Sequence, residues 1–281
     1  MTGTGHAGLG SNAMLARPWR DVDPARLRNC IGVMTDIDDT LTRDGAVEAG
    51  ALAALHDLAR ESVPVIAITG RPVGWSETVA SDWPVAAVVA ENGGVAIVRG
   101  AQGRWARRYL QDAAVRRANA RRLRAVQARL ERDVPHVAMA RDSAGRVTDI
   151  AVDHAEFASL DAATIERVVS IMRSEGMQAT VSSIHINGWY GTHDKWRGAC
   201  WIVEALHGRR LEDELAAWVY VGDSTNDQAM FARFDLSVGV ANLRRFAAEL
   251  EVWPRFITDG ERGDGFAEVA RSVLAARRQS G

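Results

Sequence analysis

The sequence predicts an α/β protein in which a parallel sheet is covered by helices and is interrupted by an inserted α+β segment. Three observations support this prediction. Short apolar runs rich in β-branched residues alternate with helical patterns, as expected for strands that are buried on both faces. Polar residues directly follow several of these runs. The middle of the chain has a different order of elements.

The elements of the predicted sheet follow one another along the chain. The predicted strands are 31–37, 64–69, 85–90, 217–221, 236–240 and 256–258. The predicted helices are 47–60, 195–207, 226–233, 243–250 and 265–278. Ligands of open α/β sheets bind at the carboxyl ends of the strands, so polar residues at those ends are candidate site residues.

The middle segment reads as a separate α+β unit. Residues 104–187 contain a strand, a long helix, a hairpin with its turn at 143–145, a second helix and a further strand. We expect residues 104–187 to form a cap domain inserted into a core domain made of 26–103 and 188–281. Residues 1–25 are expected to form a loose N-terminal tail.

Composition excludes several classes of function. The net charge of −2 gives the chain no electrostatic reason to bind nucleic acid or an anionic membrane. The arginine-rich stretch 104–132 has no interleaved aromatic platform and is expected to be a solvated helix face. No run approaches the roughly 20 apolar residues of a membrane span. Cys30 and Cys200 are expected to be free thiols in a reducing compartment. The N-terminal stretch lacks signal-peptide order, and a cytoplasmic location is expected.

The stretch Asp36-Ile37-Asp38-Asp39-Thr40 raises a question of electrostatics. Three carboxylates in four positions repel one another and raise each other's pKa values. A calcium loop of the EF-hand type requires Gly and Glu where this chain has Leu41 and Val47. Alternation along an extended segment places Asp36 and Asp38 on one side and Asp39 on the other. We therefore expect a Mg²⁺ ion among these carboxylates.

Further ligands for such an ion are expected from a second strand end. Asp223 follows an apolar run and a glycine, and Asn226 and Asp227 come next. The 34 basic residues include a single lysine, Lys195. Because lysine is a compact point charge whereas arginine is a planar fork, a site for a small cationic group explains this exception. Lys195 and Thr69 would then face the phosphoryl oxygens of a substrate.

Four short segments, in this order, carry a resemblance to a known family. "DIDDT", "ITGRP", "HDKW" and "GDSTND" resemble the four motifs of the haloacid dehalogenase superfamily. Their spacing is similar to that of members whose cap is inserted between the second and third motifs. "ENGG" and "GDSTND" resemble the Cof-like and sucrose-phosphatase-like branch of sugar phosphatases. The resemblance implies a Rossmann-like parallel sheet core with an inserted α+β cap.

The resemblance also implies roles for individual residues. Asp36 would be the nucleophile that forms an aspartyl phosphate, and Asp38 would be the general acid and base. The implied metal ligands for Mg²⁺ are Asp36, Asp38 (with its backbone carbonyl), Asp223 and Asp227, the last as a ligand or a neighbour of the ligands. The implied phosphate-binding residues are Thr69, Lys195 and Asn226.

The expected activity is that of a phosphoric monoester hydrolase acting on a small phosphorylated metabolite, with a sugar phosphate as the favoured class. Asn92, His185 and Asn187 are candidate substrate-binding residues. Two alternatives stay open: a phosphotransferase or mutase on sugar phosphates, and a non-catalytic metabolite-binding regulator on the same fold. The sequence does not fix the oligomeric state.

Overall fold

The computed structural model describes residues 16–279, which form two main sheets with helices packed against them. The strands of this part of the chain are β1 (Arg17–Pro18), β2 (Gly32–Thr35), β3 (Thr42–Arg43), β4 (Ala46–Val47), β5 (Val65–Ile68), β6 (Ala87–Ala90), β7 (Val95–Arg99), β8 (Trp105–Tyr109), β9 (Ala138–Met139), β10 (Asp149–Asp153), β11 (Gln178–Val181), β12 (His185–Trp189), β13 (Trp218–Gly222), β14 (Leu236–Gly239) and β15 (Phe256–Ile257). The α-helices are α1 (Pro24–Leu27), α2 (Ala49–Arg60), α3 (Val73–Asp82), α4 (Ala113–Asp133), α5 (Ala162–Ser174), α6 (Lys195–His207), α7 (Gln228–Phe231) and α8 (Arg262–Arg278).

The larger sheet has nine strands in the order β1-β15-β14-β13-β2-β5-β6-β7-β8. The strands from β1 to β6 in this order are parallel to their neighbours, whereas β7 and β8 are antiparallel. This confirms the predicted fold class. One predicted helix is wrong: part of 243–250 lies in a 3₁₀ segment, Ala241–Phe246, followed by turns.

Both faces of this sheet are buried, which explains why its strands read as continuous apolar runs. In β2, Val33 packs into the core on one face and Met34 into the core on the other. Helices α2 and α8 pack against each other over the Val33 face, whereas α6 covers the Met34 face. The strands between these layers are fixed from both sides, so the residues at their carboxyl ends have fixed positions.

The second sheet is antiparallel, in the order β11-β12-β10-β9, and packs against α4 and α5. It lies within the segment expected to form the cap, and its β9–β10 pair is the expected hairpin. However, β8 pairs with β7 in the core sheet, and β12 continues to Trp189. We therefore propose that the cap spans about 111–190 rather than 104–187, because the first predicted strand of the insert belongs to the core.

The N-terminal segment differs from the expected tail. Residues 1–15 lie outside the described part of the chain, but 16–25 are part of the fold. Arg17 and Pro18 pair with β15, and the indole of Trp19 is 1% exposed. The Trp19 and Phe256 rings meet edge-on, with their centroids 5.4 Å apart. Trp19 Nε1 donates a hydrogen bond to Ser272 Oγ at 3.0 Å. The predicted boundary at residue 25 was wrong because a single large apolar residue gives no periodic signal.

Two other expectations concern membranes and thiols. Across residues 16–279 the structure has no helix with the length and apolarity that crossing a bilayer demands. Cys30 and Cys200 are both free, as expected.

We expect Trp19→Ala to destabilise the protein by about 3–5 kcal/mol, as is usual when a buried tryptophan side chain is removed from a core. The neighbouring ion pair between Arg20 and Asp259 is exposed on both sides, so Arg20→Ala is the matched control and should leave stability unchanged. Urea denaturation of the three proteins measures the effect. Equal midpoints for Trp19→Ala and wild type would show that the N-terminal segment does not stabilise the core.

Candidate active site

The polar residues that follow the central strands meet at one edge of the large sheet. Thr35 at the end of β2 pairs with Val221 in β13 and with Ala67 in β5. Asp36, Thr69 and Asp223 follow these three parallel strands, and each is at least nine-tenths buried. Their positions follow from the strand register, because parallel neighbours end at the same edge.

Lys195 joins this group from a different element. It is the first residue of α6, whose preceding residue, Asp194, caps the helix by accepting a hydrogen bond from the Arg197 amide at 2.8 Å. The Lys195 ammonium lies 3.0 Å from Asp36 Oδ2 and 2.7 Å from Asp227 Oδ1. Nζ also donates to Asn226 Oδ1 at 3.2 Å. The only lysine of the sequence is therefore buried among carboxylates.

These contacts determine the charge states of the pair. Burial disfavours the ammonium, but Asp227 and Asp36 together outweigh it and raise the pKa of Lys195 above its ordinary value. Burial raises the pKa of Asp36 to about 7; Lys195 opposes this rise, whereas Asp227 and Asp38 add to it. The negative charge on Asp36 therefore depends on cations placed close to it.

Asp36, Asp223 and Asp227 form a cluster in which one ligand atom of each lies within 4.8 Å of the others. Asp223 Oδ1 is buried and has no hydrogen-bond partner among the described residues. Burial, followed by the charges of Asp36 and Asp227, raises the pKa of Asp223 well above its ordinary value. A buried carboxylate oxygen without a donor, beside a second carboxylate, fits a hard divalent cation such as Mg²⁺.

Asp227 differs from the other two because both of its oxygens are already engaged. Oδ1 accepts hydrogen bonds from Lys195 and from the Tyr220 hydroxyl. Oδ2 accepts from the backbone amides of Asp223 and Ser224 at 2.9 and 3.1 Å. A side chain at Gly222 would lie 2.5 Å from this carboxylate, so glycine is needed there. Asp227 thus orients the lysine and the loop, and both of its oxygens already accept hydrogen bonds.

Asp38 is held by an arginine whose role the sequence did not reveal. Arg71, which is 5% exposed, donates to Asp38 Oδ1 from Nε and Nη2 and to Oδ2 from Nε, at 2.9–3.0 Å. The Asp38 side chain is not part of the three-carboxylate cluster. Of the Asp38 groups that were expected to bind the metal, only the backbone carbonyl therefore remains a candidate ligand.

Two further arginines bind Asp39. Its carboxylate contacts Arg245 and Arg262, each at 2.7 Å. Burial alone would favour the neutral acid, but the two arginines outweigh it and lower the pKa of Asp39. Arg245 also lies 3.1 Å from Asp223 Oδ2, which leaves Oδ1 of Asp223 as the unpartnered oxygen.

The three candidate substrate residues lie where the cap meets the core. Asn187 Nδ2 donates to Gly70 O at 3.2 Å and to Asp149 Oδ2 at 3.1 Å. His185 Nε2 lies 2.9 Å from Glu156 Oε2. Asn92 Nδ2 and Asn187 Oδ1 are buried and have no partner among residues 16–279. Asn92 and Asn187 therefore keep a free polar atom each, whereas His185 is tied to Glu156.

Comparison with known proteins identifies the fold. No family model and no curated protein matches the sequence. A Plasmodium vivax HAD/COF-like hydrolase superimposes with a TM-score of 0.62 at 15% identity, over 88% of this chain and 96% of that one. The chain has the haloacid dehalogenase fold.

Two other similar structures carry more specific descriptions. The sucrose-phosphatase from Synechocystis, solved with sucrose and phosphate, has a TM-score of 0.61 at 13% identity, over 87% of this chain and 98% of that one. The C-terminal domain of trehalose-6-phosphate phosphatase from C. albicans has a TM-score of 0.63 at 14% identity, over 95% and 99%.

We expect Asp223→Asn and Asp227→Asn to have opposite effects on the metal-free protein. Asp223→Asn replaces a carboxyl whose charged form is disfavoured by burial and by the charges of Asp36 and Asp227, and should raise the free energy of unfolding by about 1–2 kcal/mol. Asp227→Asn places an amide against donors and should lower it by about 2–4 kcal/mol. Chemical denaturation in EDTA measures both. Equal effects of the two substitutions would contradict the different environments of the Asp223 and Asp227 carboxylates.

We expect Asp36 to contribute a loss of stability to the metal-free protein as the pH rises from about 5 to 7. An acid whose pKa is raised on folding stabilises the folded state at low pH, and this contribution disappears as the pH passes through the folded-state value, about 7 for Asp36. The slope from one such group is on the order of 1 kcal/mol per pH unit. Denaturation in EDTA across this range should show a shallower slope for Asp36→Asn. An identical slope in both proteins would contradict the raised pKa.

Proposed function

We propose that this protein is a Mg²⁺-dependent phosphoric monoester hydrolase acting on a small phosphorylated metabolite, of the sugar phosphate class, through an aspartyl-phosphate intermediate. One observation carries the proposal: a buried carboxylate, Asp36, lies against the only lysine and beside an unpartnered oxygen of Asp223. The similarity in fold to sucrose-phosphatase and to trehalose-6-phosphate phosphatase supports the substrate class.

In the first step, an Asp36 oxygen attacks phosphorus, and the ester P–O bond breaks with its electron pair on the leaving oxygen. Asp38 gives its proton to that oxygen. Oδ1 of Asp38 accepts two of the three Arg71 hydrogen bonds, and Oδ2 accepts one, so Oδ2 is the less engaged oxygen. In the second step, Asp38 takes a proton from water as the water oxygen attacks phosphorus, which releases phosphate and regenerates Asp36.

The phosphoryl group is held by Lys195, with Thr69 and Asn226 around it. Thr69 is fully buried, and its Oγ1 accepts a hydrogen bond from the Arg71 amide at 3.0 Å, which orients the hydroxyl. Lys195 supplies a positive charge where charge develops on the equatorial oxygens. Because phosphoryl transfer depends mainly on positioning and charge neutralisation, this small set of groups is sufficient.

Asp36 and Asp223 would hold the Mg²⁺ ion, together with the backbone carbonyl of Asp38. When bound, the ion supplies positive charge that neutralises the phosphoryl oxygens. Asp227 takes the role of fixing Lys195 and the loop that carries Asp223, because its own oxygens are engaged.

The decisive experiment is phosphate release from a panel of phosphorylated sugars, acids and nucleotides, measured with Mg²⁺ and with EDTA. Release that requires Mg²⁺ is the expected result. No release from any ester in the panel would overturn the proposal.

We expect Asp36→Asn to abolish phosphate release while the protein stays folded, because the amide is nearly isosteric but is not a nucleophile. The same substitution at Asp39 is the matched control. It lies three residues away, its carboxylate faces Arg245 and Arg262, and it should keep activity within a few-fold. Steady-state kinetics with circular dichroism on both variants measures this. Loss of activity in Asp39→Asn equal to that in Asp36→Asn would contradict the assignment of faces.

A further inference from the structure

A cavity of about 260 Å³ opens beside Asp38, between the core and two loops of the cap. The core contributes Asp38, Arg71, Arg245 and Arg262 to its lining. The cap contributes Glu156 and Ser183, with Phe157 at the outside, 58% exposed. Asp38 is assigned to protonate the leaving group, so the leaving group must lie within hydrogen-bonding distance of it. The size and the lining residues of this cavity therefore determine which phosphate esters fit.

The leaving group belongs on this side of the site rather than on the opposite side. A second cavity, of about 430 Å³, is lined by Lys195 and Asn226, which are assigned to the phosphoryl group. Asp38 lines only the smaller of these two cavities. A leaving oxygen that takes its proton from Asp38 must therefore project into the smaller one. This step rests on the proposed phosphatase function.

The arginines that line the smaller cavity are already paired with carboxylates. Arg71 contacts Asp38 at 2.9 Å and Glu156 at 2.7 Å. Arg245 and Arg262 both contact Asp39. Each guanidinium that lines the cavity within the described residues is thus paired with at least one carboxylate. A carboxylate on the leaving group would find no uncommitted cation among the residues that line the cavity, and burying it without a partner is costly.

The cavity does offer a neutral hydrogen-bonding group. Ser183 is 7% exposed, and its Oγ has no hydrogen-bond partner among the described residues. A hydroxyl can both donate to and accept from a sugar hydroxyl. At the mouth, the Phe157 ring is covered on one side by Arg141 at 3.8 Å. Unpartnered polar groups of this kind select ligands that satisfy them.

The size of the cavity limits the leaving group as well. A volume of about 260 Å³ is below the roughly 300–1,000 Å³ of pockets for drug-sized ligands. The cap is closed over it through contacts of Arg71 with Glu156 and of Arg146 with Gly70 O at 2.9 Å. We propose that the leaving group is a neutral polyhydroxy compound no larger than a monosaccharide, and that carboxylated and disaccharide leaving groups are rejected.

Matched substrate pairs test this proposal. Glucose 6-phosphate and 6-phosphogluconate form one pair, and glycerol 1-phosphate and 3-phosphoglycerate form another; within each pair the main difference is a carboxylate. We expect kcat/KM to be higher for the neutral member by about tenfold or more, because the site offers no partner to the carboxylate of the other member. Trehalose 6-phosphate should be a poor substrate. Equal rates, a preference for the acids, or efficient use of the disaccharide would overturn the proposal.

Variants separate charge from other causes of selectivity. Glu156→Gln leaves Arg71 with less negative charge around it and should shift the kcat/KM ratio towards the carboxylated member by about tenfold. Glu77→Gln is the matched control, because Glu77 also pairs with an arginine, Arg107, but does so on the surface. Ser183→Ala should lower kcat/KM for the neutral sugar phosphates several-fold. An unchanged ratio in Glu156→Gln would contradict the role of charge balance.

Acetyl phosphate, which needs little protonation of its leaving group, distinguishes the leaving-group proposal from the phosphatase proposal. If it is hydrolysed but the matched pairs show no preference, the leaving-group proposal fails and the phosphatase proposal stands. If neither acetyl phosphate nor any ester in the panel releases phosphate with Mg²⁺, both proposals fail together.

Discussion

The acidic run after β2 is stabilised by cations that come from separate parts of the chain, of which Lys195 and Arg71 are buried. Asp36 pairs with Lys195 at the start of α6, Asp38 with Arg71 after β5, and Asp39 with Arg245 and Arg262. Each carboxylate is therefore fixed in direction by its own partner. The repulsion within the run is mostly offset by the protein itself, and the unpartnered Asp223 oxygen is the candidate position for a metal ion.

The same pairing links the cap to the core. Arg71 binds Asp38 on one side and the cap residues Glu156 and Asp142 on the other. Although burial favours the neutral acid, hydrogen bonds from His185 and Arg71 lower the pKa of Glu156 to about 2. Glu91 accepts hydrogen bonds from the Val147 and Thr148 amides of the cap. The direction of Asp38 therefore depends on where the cap is seated.

Much of the core and the main site residues could be predicted from the sequence, because both follow from local patterns. Buried parallel strands give continuous apolar runs, and Asp36, Thr69 and Asp223 stand at their ends. Lys195 was detectable because it is the one lysine among 34 basic residues. Arg245 and Arg262 gave no such signal, since they are two of many arginines and each contacts Asp39 across about 200 positions of sequence. The pairing of β7 with β8 was missed because Val95–Arg99 was not predicted as a strand, so the strand predicted at the start of the insert had no partner in the core.

Burial of the lone lysine has a practical consequence. Lys195 is 2% exposed, and it is the only peptide position in the sequence at which a lysine-specific protease can cut. Cleavage requires the chain to open around the start of α6, where the lysine ammonium lies between Asp36 and Asp227. The yield of the two fragments therefore reports directly on opening of the candidate site, with a single scissile bond and no engineered probe.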